Sequence, residues 1–153
     1  MGTLHYLAPV LHDHFAAGAS LDDIDQVVRE WCDAVRDGSA LAGAWPGFIN
    51  IPSKVAQVAA VRSLARERRV ADERRGIFLA AVCPGMIDTA ASRAWYDTSR
   101  AQTPAEAATP LLELVLDPAP ERRLYGELVR FGERLPWQAS EPAAVGPRGR
   151  ASR

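Results

Sequence analysis

Lysine is nearly absent from this sequence. Of the 18 basic residues in the 153-residue chain, Lys54 is the only lysine, and the other 17 are arginines. Because arginine does not replace lysine where a compact point charge is needed, a lysine retained against this bias is informative. Chance retention on a solvated helix is the alternative, and composition alone favours neither interpretation.

Long apolar runs, excess charge and cysteine are scarce as well. No stretch approaches the roughly 18 apolar residues of a membrane-spanning helix, and the N-terminus does not resemble a signal peptide. A net charge of -1 gives no general attraction to nucleic acid or to acidic membranes. The two cysteines, Cys32 and Cys83, are typical of small buried residues rather than of a disulfide framework. We therefore expect a cytoplasmic protein with a single domain that binds neither nucleic acid nor a membrane.

Two capping boxes predict helices near the two ends of the chain. Ser20 followed by Asp23 starts one helix, which ends at Gly38. Thr103 followed by Glu106 starts another, which continues to about residue 116. Apolar residues at helical spacing predict the buried face of the first of these helices: Ile24, Val27, Val28, Trp31 and Val35.

A third helix is predicted from Asn50 to about Val70. Small apolar residues recur along one of its faces, which suits close packing. The mixed-charge stretch "ARERRVADERR" at its end is typical of a solvated helix terminus. The interleaved acids Glu67, Asp72 and Glu73 argue against a phosphate-binding patch there.

Two segments have the character of strands. The apolar run from Gly76 to Gly85 indicates a strand buried on both faces, as in a parallel sheet. Leu124 to Phe131 indicates a second, short strand, and the intervening helix makes the two a parallel pair. Because two strands are too few for a stable parallel sheet, we expect a helix-rich α/β fold with two to three strands. It would form the C-terminal half of a doubly wound, Rossmann-like sheet, followed by a disordered tail over 138–153.

Four segments in order, "NIPSKVAQVAAVRSLARE", "GIFLAAVCPGMIDT", "TPAEAATPLLELVLDP" and "YGELV", carry a family resemblance. Together they resemble the C-terminal half of a short-chain dehydrogenase/reductase, and more narrowly the carbonyl reductase group. That group has an extra helical segment before its catalytic helix, which residues 1–49 resemble. The resemblance covers residues 1–137 and implies an NAD(P)-dependent oxidoreductase acting on a small carbonyl or alcohol.

The resemblance assigns the catalytic helix to the segment that contains Lys54. In this family a Tyr-x-x-x-Lys motif places both side chains on one helix face; the lysine binds the nicotinamide ribose and the tyrosine donates a proton to the substrate. Lys54 matches the lysine, but Asn50 replaces the tyrosine, and an amide does not titrate. Asn50 is left to orient a carbonyl or to hold a water, and Tyr6 is an alternative donor that nothing in the sequence places.

The segment "CPGMIDT" resembles the family's turn after the sixth strand. Pro84 and Gly85 would shape this turn at the carboxyl end of the sheet, where α/β proteins bind ligands. The resemblance implies that the Ile87 backbone and the Thr89 hydroxyl hold the nicotinamide carboxamide. It also places three side chains on a mobile substrate loop: Met86, Trp95 and Tyr96. A plain strand-ending turn and ordinary packing are the alternatives.

Other features of the family are missing from this sequence. No Gly-rich dinucleotide turn is present, and Met1 to Thr3 would begin just after the family's catalytic serine. We therefore expect the complete parent to bind NADP(H) or NAD(H), and this chain alone to be inactive. The alternative is a non-catalytic binding protein derived from the same family, whose exposed strand edge is covered by a second copy or a partner chain. The three histidines have no metal-ligand spacing, so no metal site is expected.

Overall fold

The computed structural model of the protein describes residues 1–138 and has a helix-rich α/β fold. Two 3-10 turns, Leu4–Tyr6 and Pro9–Phe15, precede helices α1 (Leu21–Asp37) and α2 (Asn50–Arg75). Strand β1 (Ala81–Val82) and helices α3 (Ala90–Arg93) and α4 (Pro104–Leu116) follow. A third 3-10 turn, Arg122–Leu124, leads into strands β2 (Leu128–Arg130) and β3 (Glu133–Leu135). The tail predicted over 138–153 lies outside the described residues except for Gln138, and no helix within 1–138 could cross a membrane.

Both predicted capping boxes are confirmed. The Asp23 backbone N–H donates to Ser20 Oγ at 3.2 Å, and the Ser20 N–H donates to the Asp23 carboxylate at 2.8 Å. Gly38 ends α1 with φ +81°, a left-handed conformation that favours glycine. At α4 the same reciprocal pair joins Thr103 and Glu106, at 3.2 and 2.8 Å. Local hydrogen bonding therefore fixes both helix starts.

Helix α2 is longer than predicted, and its charged end is not wholly solvated. It ends at Gly76, where φ is +65°, rather than at about Val70. Asp72, within the stretch expected to be solvated, is only 1% exposed. Its carboxylate accepts hydrogen bonds from Tyr125 and Arg68. A buried charge needs such partners, and a partner 53 residues away cannot be recognised from the charge pattern.

The sheet is mixed rather than wholly parallel. Its order is β1-β2-β3; β1 pairs with β2 in parallel, as predicted, and β2 pairs with β3 antiparallel. The turn between β2 and β3 consists of Phe131 and Gly132, whose φ angles are +51° and +78°. Two consecutive positive φ angles are the geometry of tight hairpin turns, which explains why the chain reverses here.

The predicted strand over residues 76–85 pairs along only two residues and is not buried on both faces. Ala81 N–H donates to Glu127 O at 3.0 Å and Cys83 N–H donates to Val129 O at 2.8 Å. Alternation along a strand therefore turns the backbone groups of Val82 toward the opposite edge, where the described residues provide no strand. Val82 is 39% exposed, because burial on both faces requires neighbours that residues 1–138 do not supply.

The hydrophobic core lies between the first two 3-10 turns, α1, α2 and β2. Trp31 and Trp45 pack with ring centroids 6.2 Å apart, and Leu4 and Val55 are fully buried. Val35, on the predicted apolar face of α1, is half exposed instead. The core thus covers one side of α2 and leaves the side facing β1 open to the cleft described below.

Candidate functional site

A cleft of about 710 Å³ separates α2 from the carboxyl end of β1. Lys54 lines one wall of the cleft, and Pro84, Gly85 and Met86 line the opposite wall. The two walls come from segments far apart in sequence. The fold thus brings these predicted residues to one cleft.

Lys54 is exposed at the mouth of the cleft. Its Nζ donates to Gln57 Oε1 at 3.2 Å, one helical turn along α2. Buried neighbours on the same helix, Val55 and Val58, fix the backbone that carries it. Since an ammonium has three N–H donors, Lys54 retains donors for a ligand in the cleft.

Asn50 occupies the first position of α2, one turn before Lys54. Its side chain is exposed, and its backbone carbonyl accepts a hydrogen bond from Ser53 Oγ at 3.2 Å. Asn50 is not among the residues that line the cleft. Asn50 lies on the same face of α2 as Lys54, which does line the cleft.

Gly85 makes the turn after β1 possible. Its φ is +83°, and a Cβ added there would lie 2.9 Å from Gln102 Nε2 and 3.2 Å from Phe131 Cζ. Gln102 also fixes the turn, because its Nε2 donates to Pro84 O at 3.0 Å and its backbone N–H donates to Met86 O at 3.1 Å. Glycine is favoured here because it combines this conformation with such a close approach.

Ile87 and Thr89 lie just past the cleft lining and are engaged in local structure. Ile87 pairs with Gln102 in an isolated parallel bridge, and Ile87 O accepts from Ser92 Oγ. Thr89 Oγ1 accepts the Ser92 N–H at 3.1 Å and caps α3. A ligand that bound the Thr89 hydroxyl would have to share it with this cap.

Asp88 organises the loop that follows. Arg93 donates two hydrogen bonds to its carboxylate, both at 2.7 Å, and Thr98 Oγ1 donates a third at 2.7 Å. The Arg93 bonds first, and then the Thr98 bond, lower the pKa of Asp88 to about 2. The loop is thus anchored to a carboxylate that stays ionised at neutral pH.

The three residues predicted for the substrate loop have different environments. Met86 is 40% exposed and lines the cleft. Tyr96 packs edge-on against Phe48, with ring centroids 6.4 Å apart, which joins the loop to the segment preceding α2. Trp95 is 81% exposed. Trp95 and Tyr96 lie outside the cleft lining.

Tyr6 and Arg130 line the cleft as well, although sequence reasoning did not assign them there. Tyr6 lies on the first 3-10 turn with its ring against His5, 4.1 Å between centroids. Nothing local in the sequence places it, because the contact is between distant segments. Arg130 ends β2, and a basic residue at the carboxyl end of a predicted strand was a usable signal. Lys54 and Arg130 are the charged side chains of the lining, so the cleft is electropositive.

Comparison with known proteins does not identify a family for this chain. No family model matches the sequence, and no curated protein matches it.

Proposed function

We propose that this chain forms the nicotinamide- and substrate-binding part of a short-chain dehydrogenase/reductase similar to the carbonyl reductases. The observation that carries the proposal is the shared cleft of Lys54 and the turn Pro84–Met86. These are the two parts that the resemblance requires to meet, and they come from distant segments. In the complete enzyme the cofactor is NADP(H) or NAD(H), NADP(H) being favoured by the resemblance to the carbonyl reductase group.

The residues of the cleft fit the nicotinamide end of such a cofactor. Lys54 has N–H donors for ribose hydroxyls, and Gly85, which has no side chain of its own, contributes backbone to the lining. Arg130 adds positive charge suited to a phosphate-bearing ligand. When bound, the cofactor supplies the hydride that reduces a carbonyl carbon. The sequence has no Gly-rich turn for the pyrophosphate, so the adenine end is held elsewhere in the complete enzyme, and this chain alone is inactive.

Tyr6 is the candidate proton donor for this reaction. The Asn50 amide does not titrate, whereas Tyr6 carries a phenol and lines the cleft together with Lys54. A positioned acid contributes about 10²–10⁴ in rate. In the complete enzyme, Tyr6→Phe is expected to lower kcat for carbonyl reduction by about that factor and to leave cofactor binding unchanged.

Reduced nicotinamide mononucleotide is the probe that tests the proposal on this chain. We expect saturable amide shifts at Gly85 and Met86 in a nitrogen-15 NMR titration, and their loss in Lys54→Ala. Arg74→Ala, at the exposed far end of α2, is the matched control and should bind like the unaltered chain. Binding that is unaffected by Lys54→Ala, or no saturable shift at the turn, would contradict the proposal.

A non-catalytic binding protein derived from the same family is the second candidate. Two observations favour it: Asn50 in place of a titratable residue, and an edge of β1 at Val82 that no strand within residues 1–138 covers. In this case a second copy or a partner chain pairs with the edge. The complete protein would then bind the nucleotide probe but oxidise no NADPH with any small carbonyl, and Tyr6→Phe would change nothing.

A further inference from the structure

A second cavity lies further along α2, toward its C-terminal end. This arginine groove, about 450 Å³ in volume, is bordered by the turn after the second 3-10 helix, by α2, by residues 125–127 and by Trp137. It has no lining residue in common with the cleft of Lys54. Ligand binding at the groove can therefore be detected separately from ligand binding at the cleft. We propose that the arginine groove binds a small organic carboxylate.

The positive charge of the groove favours a carboxylate ligand. Arg62, Arg66 and Arg69 lie one turn apart along a single face of α2 and all line the groove. Glu127 is the acidic residue of the lining, and its carboxylate pairs with the Arg62 guanidinium. Among residues 1–138, no acidic side chain of the lining pairs with Arg66 or Arg69, so their guanidinium groups bring two positive charges to the groove.

The acids interleaved with these arginines in the sequence do not cancel this charge. Asp72 turns inward to Tyr125 and Arg68. Glu73 lies one turn beyond the groove, 3.7 Å from Arg122, and Glu67 is not part of the lining. Helical periodicity thus separates charges that alternate along the chain.

The protein holds the guanidinium groups of Arg66 and Arg69 in defined positions. Arg66 donates to Ala17 O, to Ala19 O at 2.7 Å and to Ser63 Oγ at 3.2 Å. Arg69 lies 4.8 Å above the Tyr125 ring and donates one bond of 3.4 Å, to Tyr125 O. Each guanidinium has five N–H donors, so both retain donors in fixed positions. On Arg69 the remaining donors include an adjacent pair, a fork that matches the two oxygens of a carboxylate, whereas Arg66, whose Nη2 hydrogens are both used, offers single donors.

The floor of the groove is apolar, which favours a ligand with a hydrocarbon or aromatic body. Phe15, Ile24, Ala59 and Ala65 are buried and line it beneath the arginines. Trp137 closes one end, with the Arg62 guanidinium 5.3 Å above its ring. The parts of these side chains that reach the groove form a small apolar surface, which an inorganic anion would leave in contact with water. A neutral molecule would not pair with the guanidinium groups. A carboxylate on a small hydrocarbon or aromatic body uses both.

Benzoate is the probe, with benzamide and inorganic phosphate as its neutral and its fully polar counterparts. In a nitrogen-15 NMR titration of the full chain we expect saturable shifts of the Gly126 amide and the Trp137 indole with benzoate. Benzamide and phosphate should bind about tenfold more weakly or worse, since each lacks one of the two interactions. Equal binding of either counterpart, the absence of a saturable benzoate shift, or shifts confined to Gly85 and Met86 would overturn the proposal.

Two variants test the arginines separately. Arg69→Gln removes a side chain that makes a single long hydrogen bond within the protein, so it should fold normally and bind benzoate about tenfold more weakly. Arg66→Gln should weaken binding to a similar extent, provided its amide spectrum retains the native dispersion. Arg29→Gln is the matched control, because Arg29 lies on α1, pairs with Asp25 and is outside the groove. Unchanged binding in Arg69→Gln would also overturn the proposal.

Discussion

Tyr125 Oη donates a hydrogen bond to Asp72 Oδ2 at 2.7 Å, and both side chains are buried. The bond joins the last turns of α2 to the segment that enters β2. Arg68 donates to the other carboxylate oxygen at 3.1 Å. The hydrogen bonds from Tyr125 and then Arg68 lower the pKa of Asp72, whereas burial, more than the bond to Asp72, raises the pKa of Tyr125. The tie therefore fixes α2, and with it both the cleft and the arginine groove, relative to the sheet.

Removing the phenol hydroxyl should destabilise the fold. Tyr125→Phe keeps the ring but leaves a buried carboxylate oxygen without this donor, so we expect unfolding to become easier by about 1–3 kcal/mol. Urea denaturation followed by far-UV circular dichroism measures the change. Tyr96→Phe, at a partly exposed ring without a buried hydrogen bond, is the control and should stay within about 0.5 kcal/mol. Equal stability of the two variants would mean that the tie does not hold α2.

Acid should release the loop anchored at Asp88. The pKa of Asp88 is lowered to about 2 from an ordinary value of 3.8, so the unfolded chain takes up the proton first as pH falls. The stability contributed by this carboxylate is therefore complete above pH 3.8 and is lost as pH falls to about 2. Carbon-13 NMR of the Asp88 carboxyl should show this low midpoint.

Arg93→Gln tests the cause of that shift. Without the paired guanidinium, the midpoint of Asp88 should rise toward its ordinary value, because only the Thr98 bond remains to stabilise the charged form. Arg100→Gln, at an exposed position of the same loop, should leave the midpoint unchanged. An Asp88 midpoint that does not respond to Arg93→Gln would assign the shift to another cause.

The helix starts were predictable from sequence because their determinants are local. The capping boxes of α1 and α4 each lie within four residues, and both are confirmed. The two strands were located, but their lengths were not. Pairing at β1 depends on which neighbours are present, and the apolar composition of residues 76–85 carries no information about that. The hairpin at Phe131 was missed because phenylalanine is not typical of a positive φ.

The candidate site likewise contains residues that the sequence predicted and residues that it did not. Lys54 and the turn at Gly85 were predicted as site residues from the sequence, and the structure brings them to one cleft. Tyr6 could not be placed, because its position in the cleft depends on contacts between the N-terminal turn and the sheet. The burial of Asp72 could not be predicted either, because its partner Tyr125 is 53 residues away in the sequence. Properties set by long-range contacts are the ones that pattern reasoning missed.

The cap of α1 has a measurable stabilising effect. Ser20→Ala removes the oxygen that accepts the Asp23 N–H, and we expect a loss of about 1 kcal/mol in the free energy of unfolding. Ser20→Gly should lose only a few tenths of a kcal/mol, since glycine is tolerated at this position. Urea denaturation of the two variants checks this order, and a larger loss for glycine would contradict the role of the cap.

Gly126 and Gly132 have nearly the same backbone conformation but different surroundings. Alanine substitutions at the two positions therefore measure backbone strain and steric overlap separately. Gly126 has φ +80° and Gly132 has φ +78°. A Cβ at Gly132 meets no atom within 4 Å, whereas one at Gly126 would lie 2.6 Å from Ala65 Cβ. Gly132→Ala should therefore cost about 1–2 kcal/mol for the left-handed conformation alone. Gly126→Ala should cost about 1–3 kcal/mol more, because α2 and the strand segment must also move apart.

A double-mutant cycle identifies the contact responsible. Ala65→Gly removes the Cβ that the new side chain would meet, so Gly126→Ala should cost less in an Ala65→Gly background than in the unaltered chain. The coupling should be about 1 kcal/mol or more, in the range expected for residues in contact. Urea denaturation of the four proteins gives this coupling. Additive losses would show that α2 does not limit the space at Gly126. The close approach of helix and strand that borders the arginine groove would then need another explanation.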